Sequence, residues 1–307
     1  MYYNWHETFN LFYSPLTAGL PPGDSLYFII NIMKKLLAIL LSASFFTTSI
    51  FTSCSKDDVT TPEPDPTVGL TKQATGYVEG AATKVEIYTK ESTIKTGYTK
   101  LYVAVYDSAT GKRIDDAHIH LDPMMDMGSM QHSAPHENPA STDAVDHLFP
   151  CSVVFLMSSM GGTWTLTMEV HNHSSDKEGE VTFPITVVDP AKPTLKSFTA
   201  ANDGAKYFVA LIDPAQPKVG INDFEFAVYK KASMMSFPAD SSLTSTMYPE
   251  MPTMGHSSPN NVDPVHTTNG HYKGKVNFTM TGLWKINLDF MAGAAVADTT
   301  QYFEIEF

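Results

Sequence analysis

The chain has 307 residues, a formal net charge of −13 and a pI near 5.2. That acidity, with no basic stripe, excludes a nucleic-acid-binding role. The length suits a leader and two domains, and two cysteines, Cys54 and Cys151, are too few for a disulfide framework.

In chain order, residues 1–32 do not fit ahead of an export signal, and translation is expected to start at Met33. Lys34 and Lys35 open a charged region, Leu36 to Phe51 is apolar or hydroxylic, and small residues precede Cys54. This stretch is too short and poorly flanked for a permanent membrane helix. Residues 33–53 resemble a bacterial lipoprotein signal peptide, with Phe51-Thr52-Ser53-Cys54 as the lipobox, Phe51 standing where Leu is usual. The resemblance implies that Cys54 is the diacylated first residue of the mature protein. Ser55-Lys56-Asp57-Asp58 resembles the acidic export tag of Bacteroidetes surface lipoproteins, which implies a surface-exposed location on the outer membrane. Residues 54–75, rich in Pro, Thr and Asp, read as an extended tether.

From there on strand signals dominate and amphipathic helix signals are absent. Trp164, Leu166, Met168 and Val170 alternate with Thr165, Thr167 and Glu169; Trp284, Ile286, Leu288 and Phe290 alternate with Lys285, Asn287 and Asp289. Both are half-buried strands of period two. Six or seven short strands recur in each of two segments, 76–189 and 190–307, joined at the linker Val187 to Pro193. About 110 residues of this kind predict an immunoglobulin-like β-sandwich, so the expected fold is all-β with two tandem sandwiches. Long segments at 122–146 and 249–270 interrupt the strand pattern, and loops of that length are usually functional or disordered.

Both segments carry the pattern Met-x2-Met-x-His-x2-Pro. It runs from Met127 through Met130 and His132 to Pro135, and again from Met251 through Met254 and His256 to Pro259. The landmarks around it keep their order. Lys95-Thr96-Gly97 answers Lys218-Val219-Gly220, Phe155 answers Phe278, Trp164 answers Trp284, and His147 is matched with His271. A constant order with small offset drifts reads as domain duplication. Two thioethers and an imidazole in one turn favour Cu(I) over harder ions. Met124, Met125 and His136 add donors in the first copy, and His147 and His271 are candidates for a further ligand from the loop exit. The same methionines could instead fill an irregular gap at the sandwich end.

Met251 to His256, Gly270-His271-Tyr272 and Phe278 to Trp284 resemble the YtkA-like domain, which is related to FixH. Residues 205–290 carry the resemblance, and the first segment is a degenerate version. It implies an extracytoplasmic β-sandwich associated with copper handling.

Two further histidine pairs, His118 with His120 and His171 with His173, each share a strand face and could bind Cu(II) or Zn(II). The second segment has no equivalents. Met157, Met280 and Cys151 read as core. No catalytic constellation stands out, so the expectation is a non-enzyme. It is an envelope lipoprotein anchored through Cys54, binding Cu(I) through Met127, Met130, His132, Met251, Met254 and His256 as chaperone or buffer, with an envelope copper-handling protein as partner. The rival reading is an adhesion or partner-binding surface module whose methionines form the contact.

Overall fold

The computed structural model describes residues 64–307; the expected start at Met33, the signal segment 33–53, Cys54 and the tether up to residue 63 lie outside the described residues. Alternating apolar residues form twenty strands and no α-helix among the described residues. The first ten are β1 (Thr71–Val78), β2 (Thr83–Thr89), β3 (Ile94–Lys95), β4 (Gly97–Asp107), β5 (Ala117–Asp126), β6 (Gln131–Ser133), β7 (His136–Glu137), β8 (Phe149–Phe155), β9 (Thr163–Asn172) and β10 (Lys177–Ile185). The others are β11 (Val187–Val188), β12 (Leu195–Thr199), β13 (Lys206–Asp213), β14 (Gly220–Lys230), β15 (Thr244–Met251), β16 (His256–Ser257), β17 (Val262–His266), β18 (His271–Phe278), β19 (Leu283–Ala292) and β20 (Ala295–Glu306).

They make two β-sandwiches with the same sheet plan. The first has a five-stranded sheet β1-β2-β4-β8-β7 facing a four-stranded sheet β10-β9-β5-β6. The second repeats it as β12-β13-β14-β18-β17 and β16-β15-β19-β20. Each sandwich has its own core. Trp164, Phe149, Phe155, Leu166 and Met168 are buried in the first; Trp284, Phe226, Tyr272, Phe278 and Phe290 are buried in the second. The alternation read from the sequence is therefore the inward face of β9 and β19.

The first sandwich begins at Thr71, inside the segment read as tether, because β1 pairs along its length with β2. The segments 122–146 and 249–270 are not structureless. β5 and β15 run on to Asp126 and Met251, then fold back as the short hairpin strands β6 and β16 before the chain crosses to β7 and β17. Val187–Val188 pairs in parallel with Ile94–Lys95, so part of the expected linker is strand.

A smaller apolar cluster joins the two sandwiches: Val154 with Ala210, Ala227, Tyr229 and Phe237. The Ser133 amide also donates to the Met234 carbonyl at 2.9 Å across the junction.

Candidate functional site at the tryptophan ends of the sandwiches

In each sandwich a buried tryptophan closes one end of the core, and the motif histidine lies against it. The His132 and Trp164 rings meet edge-on at 5.4 Å, and the His256 and Trp284 rings at 5.9 Å. Each indole N–H donates to a methionine carbonyl, Trp164 to Met157 at 2.9 Å and Trp284 to Met280 at 3.0 Å. The sequence reading of Met157 and Met280 as core residues missed this: Met157 is half-buried and Met280 is 39 % exposed.

The hairpin register decides which methionine faces each histidine. Met251 pairs with His256, but His132 pairs with Met125 rather than Met127. Met125 is also the cross-strand partner of Trp164. Both facing methionines are buried, Met125 at 0 % and Met251 at 3 % exposure. Their Cε atoms sit over equivalent glycines, 3.0 Å from where a Cβ on Gly162 would stand and 3.1 Å from one on Gly282. The first hairpin carries one more pair, Asp126 with Gln131, so its tip is Met127–Met130, whereas the second tip is Pro252–Gly255. The equal spacing of the two sequence motifs therefore aligns residues that are not structurally equivalent. Met127 packs half-buried at the core edge. The tip methionines Met130 and Met254 are exposed, at 51 % and 61 %.

The histidine tautomer is fixed in the same way twice. Nδ1 of His132 lies 2.7 Å from the Ser133 carbonyl, and Nδ1 of His256 lies 3.1 Å from the Ser257 carbonyl. A carbonyl can only accept, so Nδ1 carries a proton and Nε2 is the nitrogen left to bind an ion. Backbone carbonyls orient metal-binding imidazoles in the same way. The residues thus fit a soft ion: one Nε2, one buried thioether facing it and one exposed thioether at the tip.

His147 and His271 do not join these clusters. Phe278 packs beside Trp284 at 5.5 Å, and seven residues of strand put His271 about 23 Å away at roughly 3.3 Å per residue. His147 lies on the turn that precedes β8, at the opposite end of that strand from Phe155, itself 5.2 Å from Trp164. Nor are they equivalent to one another. Gly97 pairs with Phe155 and Gly220 with Phe278, an offset of 123 that aligns His271 with Leu148. His147 lies on a turn and bonds Asp115 at 2.7 Å. The expectation that both histidines serve the motif loops is corrected by this register.

His271 instead joins the two sandwiches. Its Nε2 is 2.7 Å from Glu137 in the first and its Nδ1 is 2.6 Å from Glu225 in the second. Tyr98 and Ser152 donate to the other Glu137 oxygen, each at 2.8 Å, and Lys273 pairs with Glu225 at 3.2 Å. Burial opposes the charged imidazole, yet the two carboxylates outweigh it and hold the His271 pKa above its usual value. Burial likewise pushes Glu137 up, but His271, Ser152 and Tyr98 hold it below the usual carboxylate range. Cys151 is buried in the first core, and burial pushes its thiol up to about 12, so it is not a thiolate at neutral pH.

Residues 202–289 match the family model described as YtkA-like. This covers much of the second sandwich, from the β12–β13 turn into β19, and includes Met251, His256 and Trp284. The comparison with curated proteins gave no match. Among solved structures, domains 5–6 of the S-layer protein SbsC are 13 % identical and align over 77 % of this chain and 97 % of theirs, with a TM-score of 0.27. The Escherichia coli adhesin FdeC is 14 % identical over 76 % of this chain and 65 % of its own, with a TM-score of 0.24. The D00–D0 domain of intimin is 10 % identical over 73 % of this chain and 100 % of its own, with a TM-score of 0.22.

Proposed function

We propose that this chain is a lipid-anchored envelope protein of two YtkA-like sandwiches, related by duplication, that holds one Cu(I) at the tryptophan end of each. The observation that carries the reading is the repeated histidine: in both sandwiches its Nδ1 is committed to a backbone carbonyl, its ring lies on a buried tryptophan, and a buried methionine faces it. The ligands are His256, Met251 and Met254 in the second sandwich and His132, Met125 and Met130 in the first. Thioether softness selects Cu(I), and thioethers do not titrate in the physiological range.

The buried methionine and histidine form a fixed half-site, and the exposed tip methionine completes it. Such a site loads and unloads from one side, which suits a chaperone or buffer that hands copper to an envelope partner. The anchor at Cys54 and the surface location rest on the leader's resemblance to a lipoprotein signal. No catalytic role is part of this reading.

A Cu(I) competition titration against a chromogenic chelator tests it. The full chain should withdraw two copper ions. Met251→Leu/Met254→Leu/His256→Asn should withdraw one, since leucine keeps the volume and removes the sulfur. If the wild type withdraws none, or the variant equals it, the copper reading fails. The exposed Met130 and Met254 tips would then be contacts of a surface-binding module.

A further inference from the structure

The first sandwich carries a second donor-rich surface, on the outward face of β5, β9 and β10 and chemically unlike the methionine site. His118 is the cross-strand partner of His171, and His171 is the partner of Glu178. In the next outward row, His120 pairs with Glu169, and Glu169 with Glu180. Because strands lie about 4.8 Å apart, each row sets a central side chain between two flanking ones that can lean over it. The six residues line one groove of about 420 Å³.

From these rows we infer a binding site for a divalent transition-metal cation of borderline softness, with zinc as the representative ion. His118, His171 and Glu178 form the primary ligand row, and His120, Glu169 and Glu180 supply the neighbouring donors. Imidazole and carboxylate together suit Zn(II) and its divalent neighbours, and three carboxylates on one face attract a cation before any ligand bond forms. The His173 ring abuts His171 at 5.0 Å, and its Nδ1 is held by Asp116 at 2.6 Å. That carboxylate–histidine pairing favours a lone pair on the outer nitrogen of His173.

The ligands need only side-chain rotation. Among the described residues no three His, Cys, Asp or Glu side chains already surround one point. His171 Nε2 contacts Asp176 at 3.1 Å, and His120 Nδ1 contacts the Asn138 amide at 2.8 Å. Both are exposed hydrogen bonds that water replaces when the rings turn. The second sandwich is an internal control. The positions matching the His118–His171 and His120–Glu169 pairs are Thr244–Met291 and Thr246–Asp289. The face is thus specific to one sandwich, and it shares no ligand with the proposed copper sites.

Titration of the full chain with zinc sulfate against a chromogenic zinc chelator tests this inference. Wild type should take up one Zn(II) per chain at the face. His118→Asn/His171→Asn should weaken uptake by at least tenfold, on the order of what lost outer-sphere partners alone cost a metal site. Glu169→Gln/Glu178→Gln should weaken it without removing an imidazole. Met251→Leu/Met254→Leu/His256→Asn should leave zinc uptake unchanged. All of the face substitutions are at the surface, and thermal melts report their folding. Absence of zinc uptake by wild type, or undiminished uptake by the folded His118→Asn/His171→Asn variant, would overturn the site. Neither result would bear on copper binding.

Discussion

His271→Ala should uncouple the two sandwiches. The side chain is 13 % exposed, and its partners Glu137 and Glu225 are 20 % and 14 % exposed, so the three charges are largely buried at the junction. Both carboxylates accept from the ring, so it must carry both protons. Removing one member of a buried ion pair costs about 3–5 kcal/mol, because the charges left behind lose their partner. The lower end applies here, about 3 kcal/mol, since Lys273 still pairs with Glu225 and Tyr98 and Ser152 still donate to Glu137. Urea denaturation followed by Trp164 and Trp284 fluorescence measures the loss. The pH dependence gives a second readout. The His271 pKa is raised, so its contribution is complete below the ordinary histidine value of 6.5 and fades as pH rises through the raised value. The Glu137 pKa is lowered, so its contribution is complete above 4.5 and fades as pH falls through the lowered value. The gap between wild type and His271→Ala should therefore be widest between those two values and shrink in alkali. A loss under about 0.5 kcal/mol, or a gap equally wide at strongly alkaline pH, would refute the clamp.

Three further outcomes follow from the same structure. Trp284→Ala should cost about 3–5 kcal/mol by calorimetry, leaving a large cavity and an unpartnered Met280 carbonyl. Gly162→Ala would place a Cβ 2.2 Å from the Asp126 carbonyl oxygen, so the β5–β9 pairing must shift; a cost of about 1–3 kcal/mol is expected in urea denaturation. Cys54→Ala should move the protein from the detergent phase to the aqueous phase in phase partitioning, and wild type remaining aqueous would remove the anchor from the account.

The strand faces were legible because alternation is local. Trp164, Phe155 and Gly97 match Trp284, Phe278 and Gly220 in both sequence and register. The two glycines take φ of 109° and 105° at the head of β4 and β14, which explains their recurrence. The site was legible only in part. A motif aligned by spacing pairs Met127 with Met251, whereas hairpin register pairs Met125 with it, and the extra Asp126–Gln131 pair leaves no sequence mark. A one-residue slip likewise matched His147 to His271, and in a strand one residue changes the face. The clamp was not readable at all, because Glu137 and His271 lie 134 positions apart and meet only through sandwich packing.

The central claim is that sulfur and imidazole together hold copper beside the tryptophans. X-ray absorption at the copper edge of the Cu(I)-loaded full chain tests that directly. The copper should be bound directly by sulfur and one imidazole nitrogen, with the nitrogen signal lost in His132→Asn/His256→Asn. A shell of oxygen and nitrogen alone, or a spectrum unchanged in that variant, would contradict it.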